Sequence, residues 1–403
     1  MVDVAIAGGG IAGSTLAIFL GRQGLLVELF ERGEFPKEKA CGEGLMPGGI
    51  AVLQRLGLAE AVGGAPFHGV RYHFGRVVAE GRFPRIAHVP ATGYGQRRSY
   101  LDETLFQAAA ATPNVKVHTG SPVSAPLVEN GRVVGLVVNG QPHRASLVVA
   151  ADGSHSLVRH TLALDAPIRR KRFGMRAHFR LPPGKDPAAW VDVFVGSGHE
   201  LYVTPLPNRE FVVAALADVQ AQPHGHSPER AFRRWSLAQP ELAARLDGAQ
   251  QVSELIGASP LERRARAGVA PGLVLLGDAA GSTDPITGGG MAQALMTSEL
   301  LARYISSARA AAQFSDPAWL WKFDRDRRAM LRNYRAVTRM TLWLADHHRL
   351  AYAAVISLRL WPALFSHLLG ICGGVTPWQR AIPRGPAWDH RPQRRPDRRP
   401  NAP

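Results

Sequence analysis

Gly8-x-Gly10-x-x-Gly13 follows directly on an apolar run, Val2 to Ala7, and opens a segment carrying Leu16, Ala17, Phe19 and Leu20 at helical spacing. Glycine at the first position permits a tight turn, and at the second it lets a pyrophosphate approach the backbone. At the third it lets the helix close on the strand. Amide groups left free at the helix start, those of Ile11 and Ala12 among them, would then face the phosphate charge. A second apolar run, Leu25 to Phe30, ends at Glu31, 18 residues after Gly13, where an acceptor for a ribose hydroxyl belongs. A glycine triplet alone is only a tight turn. With strand, helix, second strand and acid in place it predicts dinucleotide binding.

Two distant segments narrow the choice of dinucleotide. Val148-Val149-Ala150-Ala151-Asp152-Gly153-Ser154 ends a strand in an Asp-Gly turn. Leu275-Leu276-Gly277-Asp278-Ala279-Ala280 ends another in Gly-Asp, and Asp284-Pro285-Ile286-Thr287-Gly288-Gly289-Gly290-Met291 then runs into a helix. Each is an ordinary strand-end turn by itself. Taken with the first fingerprint, residues 1 to about 375 resemble the FAD-dependent family with the p-hydroxybenzoate hydroxylase fold, which includes aromatic monooxygenases and has the geranylgeranyl-reductase-like enzymes as cousins. The resemblance implies that Asp278, after Gly277, binds the ribityl chain. It also places Pro285, Gly288, Gly289, Gly290 and Met291 near the flavin ring, where a helix N-terminus stabilises negative charge on the reduced ring.

The same resemblance supplies further expectations. Gln96-Arg97-Arg98-Ser99-Tyr100-Leu101-Asp102 is similar to the family's Arg-x-x-Leu-Asp helix start, which makes Arg98 a flavin contact; a solvated basic pair is the other reading. Lys39-Ala40-Cys41-Gly42-Glu43-Gly44-Leu45 resembles the segment bearing a Cys-Gly pair in reductase-like members. That would set Cys41 and Gly42 beside the flavin or substrate, against the alternative of a buried, inert cysteine. Arg32 and Val123 complete the implied cofactor contacts. A second Gly-x-Gly-x-x-Gly is absent, so NAD(P)H, the expected transient electron donor, would dock on the flavin domain, with Asp152-Gly153 contributing.

These residues need particular elements behind them. The expected fold class is α/β: a Rossmann-type FAD-binding domain built on βαβ, an inserted antiparallel-sheet substrate domain, and C-terminal helices. Period-two alternation from Arg169 to about Ala217, as in Phe173, Met175, Ala177 and Phe179, marks the inserted sheet. The expected division is residues 1–65, 94–165 and 266–310 for FAD, 66–93 and 166–265 for substrate, 311–378 for a helical region, and 379–403 for a disordered basic tail. Arg176, His178 and Arg180 share one strand face, and His199 and Tyr202 lie on nearby strands. They could orient a phenolate or carboxylate. Solvent-facing polar residues on a half-buried sheet are the alternative, and no general base is assigned.

Composition sets the outer limits. A hydrophobic content of 46% against 20% charged over 403 residues excludes global disorder. The formal charge of +16 tempts a nucleic-acid reading. Seven arginines against two aspartates crowd into Gln379–Pro403, and no nucleic-acid reader motif accompanies the charge, so that partner is not expected. The two cysteines, Cys41 and Cys372, form neither a disulfide framework nor a zinc spacing, and no metal is expected. No secretory leader is read at the N-terminus, and a reducing cytoplasm is the expected compartment. Leu350 to Val375 is apolar but broken by Arg359, Pro362 and His367, so no integral span is expected. It is read first as helix packed on the body, and second as a peripheral membrane surface admitting a greasy substrate.

Three functions compete. A monooxygenase would hydroxylate an aromatic or related hydrophobic metabolite with NAD(P)H and dioxygen, the protein excluding water and presenting the reactive carbon. A geranylgeranyl-reductase-like enzyme would reduce prenyl double bonds, but Tyr202-Val203-Thr204-Pro205-Leu206-Pro207 lacks the Trp and Phe of that group's Tyr-x-Trp-x-Phe-Pro motif, and Gly288-Gly289-Gly290 replaces Gly-Glu-Gly. The halogenase relatives' Trp-x-Trp-x-Ile-Pro is absent. A flavin-binding sensor or scaffold without turnover is the non-enzymatic reading. The monooxygenase is preferred.

Overall fold

A computed structural model describes residues 2–221, 227–311, 314 and 316–375. The expected basic tail, 379–403, lies outside them. Val2–Ala7 is the centre of the first sheet because it is apolar on both faces from Val4 on: Val4 and Ile6 pack against helices, and Ala5 and Ala7 against Val133, Leu136 and Val138 of an antiparallel branch. It pairs in parallel with Val27–Phe30 on one side and Gln141–Ala150 on the other. Val115–His118 and Leu273–Leu275 extend the parallel array at either end. The strand order brings the chain ends at Ala7, Ala150 and Leu275 side by side. Three motifs far apart in sequence thereby open at one edge of one sheet. Arg132–Val138 and Val123–Glu129 form an antiparallel branch on Gln141–Ala150. The helix Ile11–Arg22, almost wholly buried, packs against both Arg98–Ala110 and Gly290–Ala310.

The second sheet runs in the order Gln250–Gln251, Arg172–Arg180, Glu210–Asp218, His199–Pro205, Val191–Val195, Gly69–Phe74, Val77–Arg82. Strands from 69–82 thus join those from 172–218 although about a hundred residues separate them. Its joins are antiparallel except one: Val191–Val195 lies parallel to Gly69–Phe74, because the intervening chain crosses back through the first layer. Alternation divides its strands cleanly. Ala177, Leu201, Val213 and Ala215 pack outward beneath Phe232 and Trp235, while Gly174, Tyr202, Val193 and Ala214 line a cavity on the other face. Four helices close the described chain: Ala318–Met330, Arg332–Ala345, His348–Leu360 and Pro362–Cys372. The last two contact the Val77–Arg82 edge strand.

Candidate functional site

The groove begins at the glycine turn. Gly8 has φ +99°, and a Cβ there would overlap the Ala151 carbonyl; a Cβ on Gly13 would overlap the Gly8 carbonyl. These two glycines seal strand, helix and Asp152 turn together, and neither faces the groove. Gly10 does face it, with Ile11 and Ala12. The helix they start has no side-chain cap, so its first amides are open to an anion.

Glu31 lies outside the groove wall. Its Oε2 accepts the Gly9 amide at 2.9 Å, and its Oε1 accepts the Gly33 amide at 3.1 Å and pairs with Lys37 at 2.5 Å. Burial pushes this carboxyl up, but Lys37 and the two amides outweigh that and hold it below its ordinary value. Its first task in this structure is therefore to fix the glycine loop. Arg32 is exposed beside it, and Val123 starts an outer strand; neither lines the groove.

Asp278 presents its side chain to the groove, and no hydrogen bond fills its carboxylate among the described residues. Enclosure raises its pKa, with Arg98, Lys39 and Arg159 opposing. Asp152 does not line the groove: its Oδ2 accepts the Val158 amide at 3.3 Å, and its Oδ1 is buried without a partner among the described residues. Gly153 lines the groove. Arg98 is not a solvated surface residue. It lines the groove and binds Asp102 through two 2.9 Å hydrogen bonds, and Lys39 reaches the same carboxylate at 2.7 Å. Cys41, half-buried, and Gly42 form the adjoining wall; the Cys41 Sγ accepts the Glu43 amide at 3.3 Å.

Open amides at a helix start, an unfilled carboxylate deeper in, and space beside Gly290 fit the phosphate, ribityl and ring portions of FAD. Pro285, Gly288, Gly290 and Met291 line the groove, as does Gly277. Gly289 does not. Its amide donates to the Tyr334 hydroxyl at 3.3 Å, and a Cβ would strike that ring.

Sequence reasoning missed Arg159. It is 3% exposed and donates to the carbonyls of Ser154 (2.7 Å), Ala279 (3.0 Å) and Asp278 (3.3 Å), tying the Asp-Gly and Gly-Asp turns together. Its place one short helix after the first turn was the available signal.

In the basic row on Arg172–Arg180, Arg176 and His178 depart from both sequence readings, while Arg180 is solvent-facing as the alternative has it. Arg176 and His178 are 1% and 0% exposed. Arg176 pairs with Glu38 and donates to the Lys39 carbonyl; His178 meets Glu43 at 2.7 Å; Arg180 binds Glu210, which also binds Arg97. Arg176 and His178 fasten the second sheet to the 38–43 loop, since a buried charge or imidazole must be paired, whereas Arg180 is exposed and pairs within the sheet. His199 is also diverted: it stacks on Trp235 on the opposite face. Tyr202 does reach the site, donating to the Ile286 carbonyl at 2.8 Å.

One cavity of about 770 Å³ continues from this groove past the sheet wall of Tyr72, Val193, Glu200 and Tyr202 into an apolar arm between the last three helices, lined by Leu344, Val355, Leu358 and Leu368.

Residues 1–332 match the family described as FAD binding domain. The chain is 27% identical over 326 residues to the menaquinone reductase of Mycolicibacterium smegmatis, covering 76% of each chain. It is 28% identical to squalene monooxygenase SE2 of Panax ginseng over 73% of this chain, spanning little more than half (56%) of that enzyme. In fold it resembles a flavoprotein/dehydrogenase from Cytophaga hutchinsonii, with TM-score 0.81 and 19% identity over 93% of both chains.

Proposed function

The chain belongs to the FAD binding domain family and is a FAD-dependent oxidoreductase, and on that premise we propose that it is a monooxygenase of an aromatic or related hydrophobic metabolite bearing an extended apolar chain. The observation that carries this is the continuity of the cavity: a polar wall lies next to the ring end of the groove, and beyond it only an apolar arm. Such a space takes an oxygen-bearing head at the wall and a chain in the arm.

Under this reading Gly10, Ile11 and Ala12 receive the pyrophosphate, Asp278 the ribityl hydroxyls, and Gly288, Gly290 and Met291 the ring edge; Glu31 with Lys37 holds the loop that borders the ribose. Bound FAD supplies the electrons, drawn from NAD(P)H, and the activation of dioxygen. The chain's own residues orient the head, exclude water and move protons. The division into flavin, substrate and helical regions with the boundaries given above goes with this proposal.

The arm also bears on how substrate enters. Leu360 and Trp361 are 69% and 63% exposed, with Trp343, Leu350, Tyr352 and Leu364 exposed nearby; Trp361 and Leu364 are cavity residues too. The helices His348–Leu360 and Pro362–Cys372 bend by 107°, and no single helix among the described residues is long and apolar enough to cross a membrane. A peripheral contact, with this face in the headgroup layer, gives a lipid-borne substrate a dry entry.

Reduction of prenyl double bonds is the second reading, favoured by the same arm and by the likeness to a menaquinone reductase over most of both chains. Labelled dioxygen separates the two. Supplied with NADPH and para-nonylphenol, a monooxygenase places one labelled oxygen atom in the product. Anaerobic consumption of NADPH with a prenylated quinone, with two hydrogens added across a double bond of the prenyl chain as read by mass spectrometry of the reoxidised quinone, transfers the assignment to the reductase.

A further inference from the structure

Most acids of the second sheet are paired at its rim, but Glu200 is set into the cavity wall. It is 5% exposed, and Arg172 is the only partner its carboxylate has among the described residues, through one oxygen; the other oxygen is left to the cavity. Arg172, 1% exposed, also binds Asp284 at 2.9 Å and stands 3.7 Å from Asp218, so one guanidinium serves three carboxylates. Asp218 has a second cation in Arg170, at 2.7 Å. Glu200 and Asp284 are left to share Arg172, and two buried anions on one cation favour keeping a proton on one of them. Asp284 is committed elsewhere, accepting the Ile286 amide at 3.0 Å. Glu200 is therefore the member of the pair that exchanges a proton near neutrality, ionised before it accepts one and neutral afterwards.

We propose that Glu200 is the proton acceptor of the cavity, taking the proton of a hydroxyl on the head of the bound substrate while Arg172 holds the carboxylate in place. The substrate O–H bond breaks, an O–H bond forms on Glu200, and the substrate oxygen keeps the electron pair that makes its ring electron-rich. The inference rests on the proposed function for the substrate, and on the geometry alone for the proton site. Burial drives the Glu200 carboxyl up to about 7 and Arg172 opposes it, which suits proton exchange near neutrality. The groups facing it are Asp218 on the neighbouring strand, Arg172 on the strand beyond that, Tyr202 on its own, Tyr72 across the wall, and Asp284 in the turn before Gly290. Tyr72 and Tyr202 are raised above their ordinary values by burial and stay neutral throughout this range. Asp284 is raised as well, by burial against Arg172, and is the one acid that could imitate Glu200.

Difference infrared spectroscopy on the FAD-loaded protein tests this. The expected result is a protonated-carboxyl band that titrates near neutral pH, vanishes at every pH in Glu200→Gln, and remains in Asp284→Asn with its midpoint lowered, because that variant removes the second anion on Arg172. Adding para-nonylphenol should move its midpoint by at least about half a pH unit, because a hydroxyl now contacts the titrating oxygen. A band that persists in Glu200→Gln or disappears in Asp284→Asn, or a midpoint unmoved by the phenol, overturns the proposal. A well-behaved band and a moved midpoint without turnover of any phenol would instead sink the monooxygenase reading while leaving the proton site standing.

Discussion

Asp278 and Gly10 carry the cofactor assignment in opposite ways, one by what its side chain offers and the other by having none. An open carboxylate toward ribityl hydroxyls is worth about 1.5–3 kcal/mol per charged hydrogen bond. Asp278→Ala should therefore lower FAD affinity by roughly tenfold to a hundredfold, read by flavin fluorescence on dilution. Gly10→Val should do at least as much with the fold intact, since its Cβ would enter open groove. Unchanged flavin content in either would remove that residue from the site. Glu200 gives a pH prediction. Its folded pKa of about 7 lies above the 4.5 of an ordinary glutamate, so its contribution to stability is fully present below pH 4.5 and is lost as pH rises through 7. Wild type should lose on the order of 3 kcal/mol relative to Glu200→Gln across that window, measured by denaturant unfolding. At this scale the glycines and Asp278 were legible because their spacing is local. Glu200 was not, since its meaning comes from Arg172 and Asp284, which no local spacing relates to it.

The two turns that converge on the cofactor groove are held by a third element, the short helix bearing Arg159. Replacing that arginine with methionine takes the side-chain donor from the carbonyls of Ser154 and Ala279, leaves the Asp278 carbonyl with the Gly281 amide alone, and breaks the pair with Asp165. The expected cost is about 2–4 kcal/mol in stability, with weakened FAD binding in the same variant. A variant as stable as wild type would show that the turns hold themselves. Period-two alternation located the strands of the second sheet well, because each buries one face. What it could not reveal was which face looks at solvent. Arg176 and His178 read as surface polar residues until the 38–43 loop, from another part of the chain, brings Glu38 and Glu43 over them. The parallel join of Val191–Val195 to Gly69–Phe74 was hidden for the same reason: alternation shows faces, not neighbours.

For the molecule as a whole, the helices after residue 330 turn a cofactor groove into a long chamber and give it an apolar rim. Leu360→Glu together with Trp361→Glu should cut co-sedimentation with phosphatidylcholine–phosphatidylglycerol vesicles by at least about tenfold, as two inserted side chains of about 1.5–3 kcal/mol each are lost. Melting temperature should hardly change, because both positions are exposed. Equal binding by the variant would return these helices to plain packing. Helicity there was legible from the sequence; the chamber was not, since it lies between Leu344, Val355 and Leu368 on three different helices. The most direct measurement is a structure of the protein with FAD and para-nonylphenol both bound. The account predicts the flavin between Gly10, Asp278 and Gly290, the phenol oxygen at Glu200, and the alkyl chain running toward Leu358 and Leu368. A phenol bound elsewhere, or a chain directed away from the helices, would contradict it.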